Sequence, residues 1–131
     1  MIVLDTHALI WWISDPDRLS AKAKSAISKA KTQKSIYVSS ISVWEIAMLV
    51  KKGRLKLKYE VNEWLRKIEA LPFVKFWPVT NKIAFDSVFL SGNPPADPAD
   101  RIIISTAINL DYPLISADKK IRRYPKLKIV W

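Results

Sequence analysis

Five short runs of β-branched, aliphatic and aromatic residues punctuate the chain, at Ile2 to Leu4, Ile36 to Ser39, Val74 to Trp77, Pro113 to Ser116 and Lys128 to Trp131, and the segments between them carry helical periodicity. That alternation constrains the fold more than any other feature, because strands separated by helices pair in parallel through crossovers that cover both faces of the sheet. Helices are expected over Thr6 to Ile13, Ser20 to Lys31, Ser42 to Lys52, Val61 to Leu71, Asn81 to Leu90 and Pro98 to Leu110. Gly53, just past the third of these, stands where a left-handed cap closes a helix. The expectation is an α/β three-layer sandwich with a central, mostly parallel sheet. With 131 residues, half of them hydrophobic, the chain suits one domain, 1–131, and is too short for two.

In such a layout every strand-to-helix junction lies on the carboxyl edge of the sheet, where ligands bind. Acids stand at these junctions. Asp5 ends the first strand, Glu45 lies one turn into the helix after the second, and Asp118 follows Pro113 to Ser116. Asp97 and Asp100 open a helix that follows another helix, so their placement needs an argument from length. The helix from Asn81 to Leu90 descends by about 15 Å at ~1.5 Å per residue. Seven extended residues, Ser91 to Asp97, can climb roughly 23 Å at ~3.3 Å each, which returns Asp100 to the rim.

Taken singly, each acid also has a local explanation. Asp5 and Asp118 can cap the helices after them, Ser42-Val43-Trp44-Glu45 spells a capping box, and Asp97-Pro98-Ala99-Asp100 offers a cap, a proline at the first helical position and a first-turn acid. Capping gives no reason to gather four carboxylates on one rim, where they repel each other. A divalent cation does, and carboxylate oxygens without Cys or His partners select Mg²⁺ or Mn²⁺ over zinc.

The formal net charge is +10, from 22 Lys and Arg against 12 Asp and Glu, which favours a polyanionic partner, above all nucleic acid. Its densest stretch, Lys119, Lys120, Arg122, Arg123, Lys126 and Lys128, adjoins Asp118 and is the best candidate for a track along an RNA backbone. The absence of Cys excludes disulfides and thiolate metal sites. With no basic, hydrophobic leader and no apolar run near the roughly 20 residues of a membrane span, a cytoplasmic location and no membrane association are expected.

The opening Val3-Leu4-Asp5-Thr6-His7-Ala8-Leu9-Ile10-Trp11, the helix start Ser42-Val43-Trp44-Glu45-Ile46, the segment Asp97-Pro98-Ala99-Asp100-Arg101-Ile102-Ile103 and Leu114-Ile115-Ser116-Ala117-Asp118, in this order and spacing, resemble the PIN-domain family, and within it the VapC toxins of toxin–antitoxin pairs. The resemblance runs the whole length. It implies a Mg²⁺- or Mn²⁺-dependent endoribonuclease whose catalytic and metal-binding acids are Asp5, Glu45, Asp100 and Asp118, with Asp97 as an outer or second-metal helper. It also implies RNA products with 5′-phosphate and 3′-hydroxyl ends, a VapB-type antitoxin that covers the metal site, and a homodimer. Alternatives are a PIN-type nuclease of RNA processing and a non-catalytic RNA-binding module in which the acids only cap helices. A phosphatase of the haloacid dehalogenase type wants a second acid two residues after the first, where this chain has His7.

Thr6 and Ser116 neighbour the acids and can hydrogen-bond a carboxylate, or serve as local caps. His7 has no evident partner and reads as structural or solvated. Arg101 is open to contacting phosphate or to a surface ion pair. Of the six Trp residues most should be core, with a surplus around Trp11, Trp12, Met48 and Leu49 available for a groove or an interface.

Overall fold

The computed structural model describes residues 1–131. Strand β1 (Ile2–Leu4) runs into α1 (Thr6–Ser14), and a single 3₁₀ turn over Pro16–Arg18 leads to α2 (Ala21–Thr32) and β2 (Ile36–Ser39). Helices α3 (Ile41–Lys51) and α4 (Val61–Glu69) precede β3 (Val74–Trp77); α5 (Asn81–Val88) and α6 (Pro98–Leu110) precede β4 (Leu114–Ile115); α7 (Lys119–Arg122) and β5 (Ile129–Val130) complete the chain. The five strands form one sheet in the order β3-β2-β1-β4-β5, and every pair is parallel. The layout agrees with the expected three-layer α/β arrangement, with the sheet wholly parallel.

Side-chain alternation along the strands divides the core in two. Ile2 and Leu4 of β1, Ile36 and Val38 of β2, and Ile115 of β4 face a cluster completed by Leu9 of α1, Ile27 of α2, Ile46 of α3, and Trp64, Leu65 and Ile68 of α4. Val3 and Leu114 face the opposite side, against Ile103, Ile104 and Ala107 of α6 with Ile121 and Tyr124. Each central strand is covered on both faces, which is why it reads as an unbroken apolar run.

Helix starts follow sequence chemistry at several places. Asp5 accepts the Ala8 N–H at the head of α1, Ser20 the Ala23 N–H at the head of α2, and Thr80 the Ile83 N–H at the head of α5. Gly53 closes the turn after α3 at φ +71°, as expected. Two expectations need correction. Strands β4 and β5 are shorter than predicted, two residues each; Pro113 has no N–H to contribute to a ladder. The capping box at Ser42 does not form: α3 begins at Ile41, Ser42 lies inside it fully buried, and Glu45 is drawn to a tertiary partner. No helix is long and apolar enough to cross a membrane.

Candidate metal centre

The site grows out of the carboxyl ends of β1, β2 and β4. Asp5 follows β1 without a break and is 5% exposed. One of its oxygens accepts the Ala8 N–H at 2.8 Å as the cap of α1, and the other accepts the Ser116 hydroxyl. Ser116, fully buried at the end of β4, also accepts the Asp118 N–H at 3.1 Å, so a single hydroxyl ties the two strand ends together. Thr6 performs the matching task toward β2: its Oγ1 donates to Glu45 Oε1 at 2.7 Å and stands 2.9 Å from the Ser42 hydroxyl. Because the one Thr6 proton goes to Glu45, Ser42 is the donor to Thr6.

At the head of α6, Asp97 accepts the Asp100 N–H at 2.9 Å, with Pro98 at the first helical position. Asp118 accepts the Lys120 N–H at 2.8 Å as the cap of α7. Asp5, Asp97 and Asp118 are therefore caps, while Glu45 and Asp100 are not. The Asp100 carboxylate makes no hydrogen bond inside the protein.

The electrostatics show that these acids share a neighbourhood. Burial raises the Asp100 carboxyl from 3.8 to about 7, assisted by the negative charges of Asp97, Asp118, Glu45 and Asp5. Burial likewise raises Asp5 to about 6; the Ser116 and Ala8 hydrogen bonds and His7 oppose the rise, and Asp118 adds to it. All five acids thus bear on one position. None has a Lys or Arg partner, since the ion pairs in the molecule are Lys24–Asp17, Lys67–Glu63 and Lys82–Asp86.

No three carboxylates stand close enough to make a finished metal shell, so the tight convergence expected from the sequence is not present as such. The hydrogen bonds account for the spread: Asp5, Asp97 and Asp118 are turned toward the helices they cap and Glu45 toward Thr6. The donors nonetheless fit a hard divalent cation in kind, being all carboxylate oxygens without a basic partner, two of them, on Asp5 and Asp100, desolvated by burial.

Other expectations divide. Arg101 forms no ion pair; its Nε donates to the Pro95 carbonyl at 2.6 Å and tethers the segment before α6. Trp64 is the fully enclosed tryptophan at 3% exposed, Trp44 is 57% exposed, and the other four are partly buried. Trp11 and Trp12 pack on the larger core cluster, whereas Met48 lines a separate shallow groove with Trp44, so the proposed surplus is not one surface. Ser42 is the site residue that sequence reasoning missed, and its signal was a serine three residues before Glu45, on the same face of α3.

A parallel α/β sheet with acids gathered at its carboxyl edge defines a class, and comparison with known proteins agrees. The PIN domain family model matches residues 2–127. Ribonuclease VapC22 of Mycobacterium tuberculosis is 35% identical over 132 aligned positions, covering 99% of this chain and 98% of that protein. The chain belongs to the PIN-domain family, among its VapC-type members. Two solved structures share the fold: VapBC2 from Rickettsia felis bound to a promoter DNA fragment, with a TM-score of 0.71 at 20% identity over 98% of this chain and 97% of that one, and a toxin–antitoxin complex from Klebsiella pneumoniae, with a TM-score of 0.67 at 22% identity over 100% and 97%.

Proposed function

We propose that the chain, as one nuclease unit over residues 1–131, is a divalent-metal-dependent endoribonuclease that acts as the toxin of a toxin–antitoxin pair in the cytoplasm. The observation that carries this reading is the partly buried Asp100 carboxylate, which has no hydrogen bond or ion pair within the protein and feels the charge of four further acids. Asp5, Glu45, Asp100 and Asp118 would hold Mg²⁺ or Mn²⁺, with Asp97 supporting from the head of α6. The bound cation supplies Lewis acidity toward a phosphodiester oxygen and toward water.

The residues of the chain do the rest. Asp5 is held at both oxygens by Ala8 and Ser116 and forms the fixed wall of the site. Glu45 is oriented through Thr6, itself held by Ser42. Asp100, with no hydrogen bond from its carboxylate, is the acid free to turn inward, where it would hold the cation and orient a water beside it. The basic run from Lys119 to Lys128, beginning beside Asp118, would hold the RNA backbone. The partner is a VapB-type antitoxin, by analogy with the toxin–antitoxin assemblies that share this fold. A homodimer would use the end of α5, where Phe85, Val88 and the following Phe89 are 65%, 64% and 69% exposed.

The capping hydrogen bonds favour one rival, a non-catalytic RNA-binding module. Capping accounts for Asp5, Asp97 and Asp118, and it leaves Glu45 and Asp100 without a purpose. Cleavage of RNA by the purified protein in Mg²⁺ and in Mn²⁺, with EDTA and the Asp100→Asn variant as controls, decides between them. The nuclease loses its activity in both controls; a binding module retains RNA in all conditions and cuts it in none.

A further inference from the structure

Beside the acidic rim lies a cavity of about 190 Å³ bounded by Asp5, His7, Trp11, Ala117 and Asp118. Two of these residues have no part in holding the acids. His7 is exposed on the first turn of α1, and Trp11, one turn later, is partly exposed. Their ring centroids are 5.9 Å apart with planes inclined at 56°. The indole is held from elsewhere, by the Arg18 guanidinium 4.4 Å from its centroid and by Trp131 at 5.8 Å. The cavity therefore joins a carboxylate wall to an aromatic wall whose tryptophan is backed by Arg18 and Trp131 and whose histidine is open to solvent.

The wall chemistry limits what can enter. Carboxylates on one side repel a bare phosphate, and the rings on the other favour a flat, neutral π system. Unpaired nucleobases are such groups, and single-stranded RNA is bound by stacking bases on aromatic side chains while cations hold the backbone. We propose that His7, backed by Trp11, forms a stacking subsite for one unpaired nucleobase adjacent to the phosphodiester held at the acidic rim. This rests on the nuclease reading and adds to it a binding residue, His7, that engages the base beside the cleaved bond. Stacking needs a π face rather than a particular edge, so the subsite tolerates different bases and selects against duplex.

The test is steady-state cleavage of a short single-stranded RNA in Mg²⁺ by the wild-type chain, His7→Ala and His7→Phe, with a second substrate that carries an abasic nucleotide beside the cleaved bond. His7→Ala is expected to lower kcat/KM on the intact RNA roughly 5- to 100-fold, mainly through KM. His7→Phe should restore it to within a few-fold. On the abasic substrate the three proteins should perform alike. Equal kcat/KM for wild type and His7→Ala on intact RNA, or equal losses for His7→Ala and His7→Phe, overturns the subsite and leaves the nuclease standing. A wild-type protein that cuts no RNA with either metal removes the nuclease reading and the subsite with it.

Discussion

Replacing Asp5 by Asn should stabilise the metal-free protein at pH 8 while abolishing cleavage. The Asp5 carboxyl titrates at about 6 in the folded chain against an ordinary 3.8, chiefly because it is buried. Below the ordinary value both folded and unfolded chains are protonated and the group costs nothing. Between the two values the unfolded chain gives up the proton first, so native stability falls as pH rises, and above about 6 the loss is complete. Two pH units correspond to about 3 kcal/mol. Asparagine keeps the acceptor for the Ala8 N–H but disturbs the bond with Ser116, which returns about 1 kcal/mol. The net gain is about 2 kcal/mol at pH 8, or about 7 °C in Tm for a domain of this size. Near pH 4.5 the penalty removed is only about 1 kcal/mol, and the two proteins should melt together. Thermal unfolding of both proteins in EDTA at the two pH values measures this directly. If Asp5→Asn melts lower than wild type by the same margin at both, the burial argument for Asp5 is wrong.

Thr6→Val removes the hydroxyl that serves both Glu45 and Ser42 and strands two polar groups, one of them fully buried; it should cost about 1–3 kcal/mol in chemical denaturation and reduce kcat as well. Combined substitution of Lys119, Lys120 and Arg122 by Ala should raise KM for RNA and flatten its dependence on salt, with Tm unchanged, because these side chains are exposed. Phe85→Ser with Phe89→Ser, two exposed rings whose centroids are 4.9 Å apart, should convert a dimer to a monomer in sedimentation analysis without loss of folding.

Strands β1 and β2 were legible because a parallel sheet covered on both sides demands apolar runs, and Ile2 to Leu4 and Ile36 to Ser39 carry them to the residue, while the edge strand Val74 to Trp77 was legible despite its exposed Lys75. The rim position of Asp100 was legible from chain length alone, since seven residues suffice to climb back to the sheet edge. The conformation of Glu45 was not. Ser42-Val43-Trp44-Glu45 has the local pattern of a capping box, and a hydroxyl 39 residues away, on Thr6, prevailed over it. Ser42 was hidden for the same reason, as a serine near a helix start reads as a cap until a partner from another element is seen. The spread of the acids was equally invisible, because sequence places them on one rim but does not say that Asp5, Asp97 and Asp118 turn to the helices they cap and Glu45 to the Thr6 hydroxyl.

Crystals soaked in Mn²⁺ show whether the acids at the carboxyl edge hold a metal. An anomalous peak is expected at about 2.0–2.3 Å from oxygens of Asp5 and Asp100, with Glu45 or Asp118 drawn toward it, and no such peak in Asp100→Asn crystals. A saturating soak that leaves the carboxyl edge of the sheet without anomalous density, in crystals whose molecular contacts leave that edge open, would contradict a metal centre there.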